Sequence, residues 1–274
     1  HGEDEAVAAA IAGHYYPDSA DDPLPETVQG RVLALADRLD MLVGCFAVGL
    51  EPTGSKDPYA LRRQAQAALR LLETDELDLP LSDVLDLARE RYVAQDIEVE
   101  DERMGALHEF MADRLYHMAL ERGHSHDFIR AVQAAGSDHV ADFWARLQAL
   151  ERCAERDWWP SLVELVDRTY RIQKDSGDLP PCDPELLDQE EERSVYEALQ
   201  ENREEIESAF RGGDYVSGAE LYCSVLSDPV HVFFDEVFVN VDDERVRDNR
   251  KAVCREIHRL FADAFADLYL VEED

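Results

Sequence analysis

Apolar positions recur three and four residues apart along almost the whole chain, with charged residues filling the gaps. Thr27 is followed by Val28, Val32, Leu35, Leu39, Leu42, Val43 and Phe46. That stripe fits one face of a 3.6-residue helix, with Thr27 as its cap and Gly49 and Pro52 as its end. The same reading predicts an Ala-rich helix over 6–16, stopped by Pro17. A helix over 59–72 should hold Pro58 in its first turn and Ser55 or Asp57 near its cap, burying Leu61, Ala65, Ala68, Leu69 and Leu72. Helices are expected next at Leu81–Val93 and over 104–122, the second closed by Gly123, then over 127–135, closed by Gly136. Further stripes fall over 140–153, over 161–173 after the Trp158-Trp159-Pro160 break, and over 192–211. The last predicted helices are 215–226, a short 230–237, and about 243–270. No segment alternates with period two for long; Val237-Phe238-Val239-Asn240-Val241 comes nearest, and no internal repeat is found. The expected fold is all-α, as two helical bundles: an N-terminally incomplete domain over 1–140 and a second over 141–274.

The length of 274 residues suits two domains. Composition sharpens the picture through charge. There are 62 Asp and Glu against 27 Lys and Arg, a formal charge of −35, yet 45% of residues are hydrophobic, too many for a disordered acidic chain. Lysine occurs only as Lys56, Lys174 and Lys251. Acid excess with so little lysine suits a halophilic cytosol, where a Debye length of about 3 Å makes self-repulsion tolerable. A basic partner is the other explanation. Five scattered cysteines without metal-ligand spacing read as reduced, buried thiols. No run of about 18 apolar residues and no signal peptide occurs, so a cytoplasmic protein with no membrane contact is expected. The chain opens on His1 and runs at once into an apolar-periodic segment, which reads as the C-terminal piece of something longer.

Most motifs that invite chemistry fail on inspection. His126-Asp127, with His124 nearby, could be taken for the metal pair of an HD phosphohydrolase, but a coordination shell needs ligands from several helices. Ser125 and Asp127 stand where a helix cap belongs. The run Ala34-Leu35-Ala36-Asp37-Arg38-Leu39-Asp40 looks like the closing helix of HD-type domains, in which such an Asp is the last metal ligand. Without partner ligands, Asp37 reads as a surface carboxylate pairing with a neighbouring arginine. An HD-type phosphohydrolase fragment built on Asp37 stays as an alternative. Trp158-Trp159 could stack on bases, pack in a core or sit at a subunit interface, the last giving a pure interaction module. No phosphate-binding glycine loop, nucleophile elbow or HExxH helix occurs. No catalytic residue, metal site or cofactor is expected in this segment.

Positive charge is informative because it is scarce. Lys56, Arg62 and Arg63 surround the Thr53-Gly54-Ser55-Lys56-Asp57-Pro58 loop. Arg168 and Arg171 precede the polar loop 174–181. Arg247, Lys251, Arg255 and Arg259 recur every four residues, which puts them on one slowly drifting helix face. Guanidiniums that donate two parallel hydrogen bonds suit backbone phosphates. Pairing with nearby acids at about 0.3–0.5 kcal/mol each explains the same pattern.

Four blocks, taken together, resemble the C-terminal part of the beta subunit of the bacterial two-subunit glycyl-tRNA synthetase. They are Leu24-Pro25-Glu26-Thr27; the run 34–40 with Val43-Gly44; Pro52 through Arg63; and Asp228 through Val237 with Val241-Asp242-Asp243-Glu244 and Asn249-Arg250. The resemblance covers about 5–270. It implies an HD-like helical domain followed by an anticodon-binding bundle of the DALR type shared with arginyl-tRNA synthetases. It implies tRNA-Gly and an alpha subunit as partners in a heterotetramer of two alpha and two beta chains. ATP and Mg2+ would then bind at the alpha subunit, where glycine is activated. Where the family commonly has a Lys-Arg-containing helix ending in Asn-Ile, this chain reads Arg168-Thr169-Tyr170-Arg171-Ile172-Gln173. Charge scarcity and helical phase nominate Lys56, Arg62 and Arg63 for the tRNA body or for organising the domain. The same criteria nominate Arg168, Arg171, Arg247, Lys251 and Arg255 for the anticodon side.

Overall fold

The structure, a computed structural model, describes residues 4–19 and 21–271. It is all-α, as the apolar periodicity predicts: eleven α-helices and no strand occur among the described residues, and the one β-bridge joins Thr53 to Lys56. No described helix is long and apolar enough to cross a membrane. The chain packs as two units, one of His1–His124 with Ser137–Trp144, the other of Ser125–Gly136 with Ala145–Asp274.

The first unit is organised around α2 (Val28–Ala47), which packs against α1 (Glu5–Gly13), α3 (Leu61–Leu72), α4 (Leu81–Val93) and α5 (Asp101–Glu121). The Thr27 hydroxyl accepts from Gly30 N at 3.1 Å, so the predicted cap starts the helix. Leu35, Leu39, Leu42, Val43 and Phe46 are buried as the stripe requires. Val28 and Val32 are not: they are 46% and 50% exposed, and Val32 lines an apolar groove with Leu79 and Leu87. The expected α3 stripe is buried in full. Its start is later than predicted, however, because Ala60 at the cap takes a left-handed φ of 54° and leaves Pro58 outside the helix.

The second unit contains α6 (His126–Ala134), most of α7 (Val140–Ala154), α8 (Trp159–Arg171), α9 (Glu190–Arg211), α10 (Tyr215–Glu236) and α11 (Glu244–Ala262). Within it α10 lies along α9, and α8 meets both α10 and α11. Two predicted boundaries change. Residues 215–237 do not break at Pro229; α10 runs through it, because Tyr222, Leu226, Val230 and Phe233 form one buried face. Burial along that face outweighs the cost of an interior proline, about 3 kcal/mol. The last helix stops at Ala262 rather than near 270. There the chain turns so that Asp267 N donates to Ala131 O of α6 at 2.9 Å, and a short 3-10 turn, Leu268–Leu270, docks its Leu268 in the core.

Candidate nucleic-acid interface

In the first unit the loop ahead of α3 is a tight turn closed by two backbone bonds between Thr53 and Lys56, at 3.1 and 2.9 Å. The Asp57 carboxylate accepts from Leu61 N at 2.7 Å and Arg62 N at 3.0 Å, so it caps α3 across the left-handed Ala60. Arg62 donates to Gly54 O at 2.8 Å and ties the turn to the helix. Of the three cations nominated here, Arg62 is therefore an organiser of its own loop. Lys56 is exposed at the tip, with no acid at ion-pair distance among the described residues. Arg63 is open apart from a loose pairing with Asp18 at 3.5 Å. Arg62 and Arg63 line a cleft of about 620 Å3 together with Arg114 and His117, two groups the sequence did not single out.

In the second unit Arg168 donates to Glu164 at 3.2 Å, lies 3.2 Å from His231 Nδ1 and sits over the Phe234 ring at 4.7 Å. Arg171 pairs with Asp167 at 2.7 Å but keeps 65% of its side chain exposed. Arg247 stands 3.5 Å from Asp248 and 3.9 Å from Glu244. Lys251, half-buried, has no ion-pair partner among the described residues. Arg255 is committed internally: it donates to Leu179 O and Pro180 O, holding the polar loop against α11. The four-residue repeat on α11 is thus divided, with Arg255 a loop clamp and Arg259 exposed.

Three further arginines are buried and structural. Arg38 donates to the carbonyls of His14, Tyr15, Pro17 and Ala34, fastening the segment after α1 onto α2. Its neighbour Asp37 is exposed and, among the described residues, pairs only with Arg38, at 3.9 Å. Among the described residues no three His, Cys, Asp or Glu groups gather as a metal site. Ser125 caps α6 through Phe128 N at 3.2 Å. Arg146 holds the carbonyls of Val132, Gly136 and Phe265. Arg250 pairs with the fully buried Glu192 and donates to Phe238 O at 3.0 Å. Asn249 beside it makes two bonds to the Asp183 backbone, at 2.7 and 3.0 Å. The Asn249-Arg250 signature therefore anchors loops.

Of the tryptophan pair, Trp159 packs edge-on to Phe128 within its own unit, 5.9 Å between ring centres. The five thiols are free. Burial pushes Cys153, Cys182 and Cys254 up to about 12, which leaves those three protonated and unsuited to act as nucleophiles at neutral pH.

One arrangement was invisible in the sequence. Tyr170 and Tyr269, distant along the chain, pack together at a tilt of 37° with ring centres 4.2 Å apart. Arg171 and Lys174 lie over Tyr269 at 6.0 and 5.7 Å. The scarcity of lysine could have drawn attention to Lys174; nothing in the spacing pairs the tyrosines.

The sequence matches the family model described as glycyl-tRNA synthetase beta subunit over residues 1–134. It is 37% identical to the glycine--tRNA ligase beta subunit of Moorella thermoacetica over 94% of this chain and 38% of that protein. With the beta subunit of Ralstonia nicotianae it shares 36% identity over 94% of this chain and 37% of the other. The corresponding subunit of Halalkalibacterium halodurans is 35% identical over 92% and 36%. The chain thus spans a little over a third of the length of these curated relatives. It belongs to the glycyl-tRNA synthetase beta subunit family.

Proposed function

We propose that this chain is the tRNA-handling part of a glycine--tRNA ligase beta subunit, and that its work is positioning rather than bond chemistry. The first unit is an HD-like helical domain whose Lys56 and Arg63 meet phosphates of the tRNA body. The second is an anticodon-binding bundle that engages the anticodon loop of tRNA-Gly. Anticodon bases are single-stranded, so their edges and faces are open to hydrogen bonds and stacking. The acceptor end is delivered to an alpha subunit, where ATP and Mg2+ support glycine activation. The working assembly is a cytoplasmic heterotetramer of two alpha and two beta chains. The observation that carries this reading is the alignment with beta subunits along almost the whole chain.

The test is binding of the chain to tRNA-Gly transcripts at about 1 M KCl, where the Debye length is only about 3 Å. One transcript keeps the native anticodon; the other has its central and 3′ anticodon bases changed. Tighter binding of the native transcript is expected. Equal affinity for the two, or no binding to either, would refute anticodon reading by this segment.

A further inference from the structure

We propose that Tyr269, packed against Tyr170 and flanked by Arg171 and Lys174, is a platform for one unpaired RNA base and its phosphate. The inference rests on the tRNA reading above and names the group that performs it in the second unit. Both rings are only partly covered, and they come from different elements, the last turn of α8 and the 3-10 turn Leu268–Leu270. Each is held from behind. Tyr170 leans on His258, which is 6% exposed, with ring centres 5.1 Å apart. Tyr269 N donates to the Asp267 carboxylate at 3.3 Å, Asp267 N is bonded to α6, and Leu268 is 1% exposed. The aromatic surface is therefore preformed, and two long cations lie within 6.0 Å of the Tyr269 ring centre.

The charge balance supports a ligand here. Acids outnumber bases 62 to 27, yet Lys174, one of three lysines, is exposed and has no ion-pair partner among the described residues. It lies by an aromatic ring instead. A fixed aromatic pair with two long cations beside it suits a nucleobase, because every base offers a stacking face and carries a phosphate within reach.

The experiment uses the 274-residue chain and a labelled RNA hairpin bearing the tRNA-Gly anticodon loop, with a loopless duplex as control. Tyr269→Leu keeps the apolar volume and removes the π-face; Tyr269→Phe keeps both. Tyr269→Leu should weaken hairpin binding by at least about fivefold, Tyr269→Phe by less than about twofold, with duplex binding unchanged. Lys174→Gln, at an exposed and unpaired position, should weaken the same complex, and its effect should shrink as KCl rises. Where circular dichroism shows Tyr269→Leu unfolded, Lys174→Gln decides. Wild-type binding that neither variant alters would overturn the platform and leave the tRNA reading intact. Failure of the wild-type chain to bind the hairpin would overturn both.

Discussion

The pair formed by Arg250 and Glu192 offers the sharpest test of the second unit. Glu192 is 0% exposed and Arg250 6%, so neither charge is hydrated when its partner is missing. Arg250→Met leaves a carboxylate in the core, a loss of about 3–5 kcal/mol for a broken buried pair. It also removes the bond to Phe238 O, worth about 1 kcal/mol. In a unit of roughly 140 residues each kcal/mol moves the midpoint by about 3–4 °C, so a total loss of about 4–6 kcal/mol should lower melting by about 12–24 °C. The double variant Glu192→Met with Arg250→Met should recover much of this, since a buried pair replaced by apolar groups of similar volume is close to neutral. What the double variant still lacks is the bond from Gln189 N to Glu192, at 3.1 Å, and the Phe238 bond, together about 2 kcal/mol. The assay is urea denaturation followed by circular dichroism for wild type, both single variants and the double, at low and at high KCl. Salt should not rescue either single variant, because ions do not screen a pair without solvent access. A loss below about 1 kcal/mol for Arg250→Met, or a double variant as weak as the two singles added, would refute the assignment of this pair as a coupled, buried anchor.

Other expectations follow from single contacts. Asp57→Ala removes the acceptor of two backbone N–H groups at the start of α3 and should lower first-unit stability by about 1–2 kcal/mol, with Asp57→Asn milder; denaturation midpoints check this. His258 is held below its ordinary pKa of 6.5 by burial, with the Asp267 carboxylate acting in the opposite direction. A folded-state pKa below the unfolded one means stability is complete above about pH 6.5 and is lost as pH falls further. The difference in melting temperature between wild type and His258→Phe should therefore shift between about pH 7.5 and pH 5.5, and a constant difference would sink the assignment. Binding of tRNA-Gly should depend on KCl less steeply than in a lysine-rich relative, since few phosphates are neutralised; a steep loss between moderate and high KCl would count against it.

How much of this was legible follows from which forces are local. Thr27, Ser125 and Asp57 were legible as caps because a cap is satisfied within a few residues of itself. The α3 stripe was legible for the same reason. Pro229 misled because its penalty is local while its compensation, the buried face of α10, is not. Arginines were the least legible group. Arg38, Arg250 and Arg255 hold carbonyls of other segments and Arg62 holds one of its own loop, and an unpaired surface arginine looks no different in sequence. Scarcity of positive charge marked where to look, and only the fold separated organisers from the open Lys56, Arg63, Arg171 and Lys174.

The sequence by itself determined the all-helical class, most helix positions and caps, the strong acidity and the family blocks, because periodicity, capping and composition are properties of neighbours along the chain. Tertiary structure alone decided which cations are internal clamps, where the last helix ends, and that Tyr170 meets Tyr269. Those outcomes depend on groups brought together across long loops, where burial and the need to satisfy buried carbonyls override anything a local window contains.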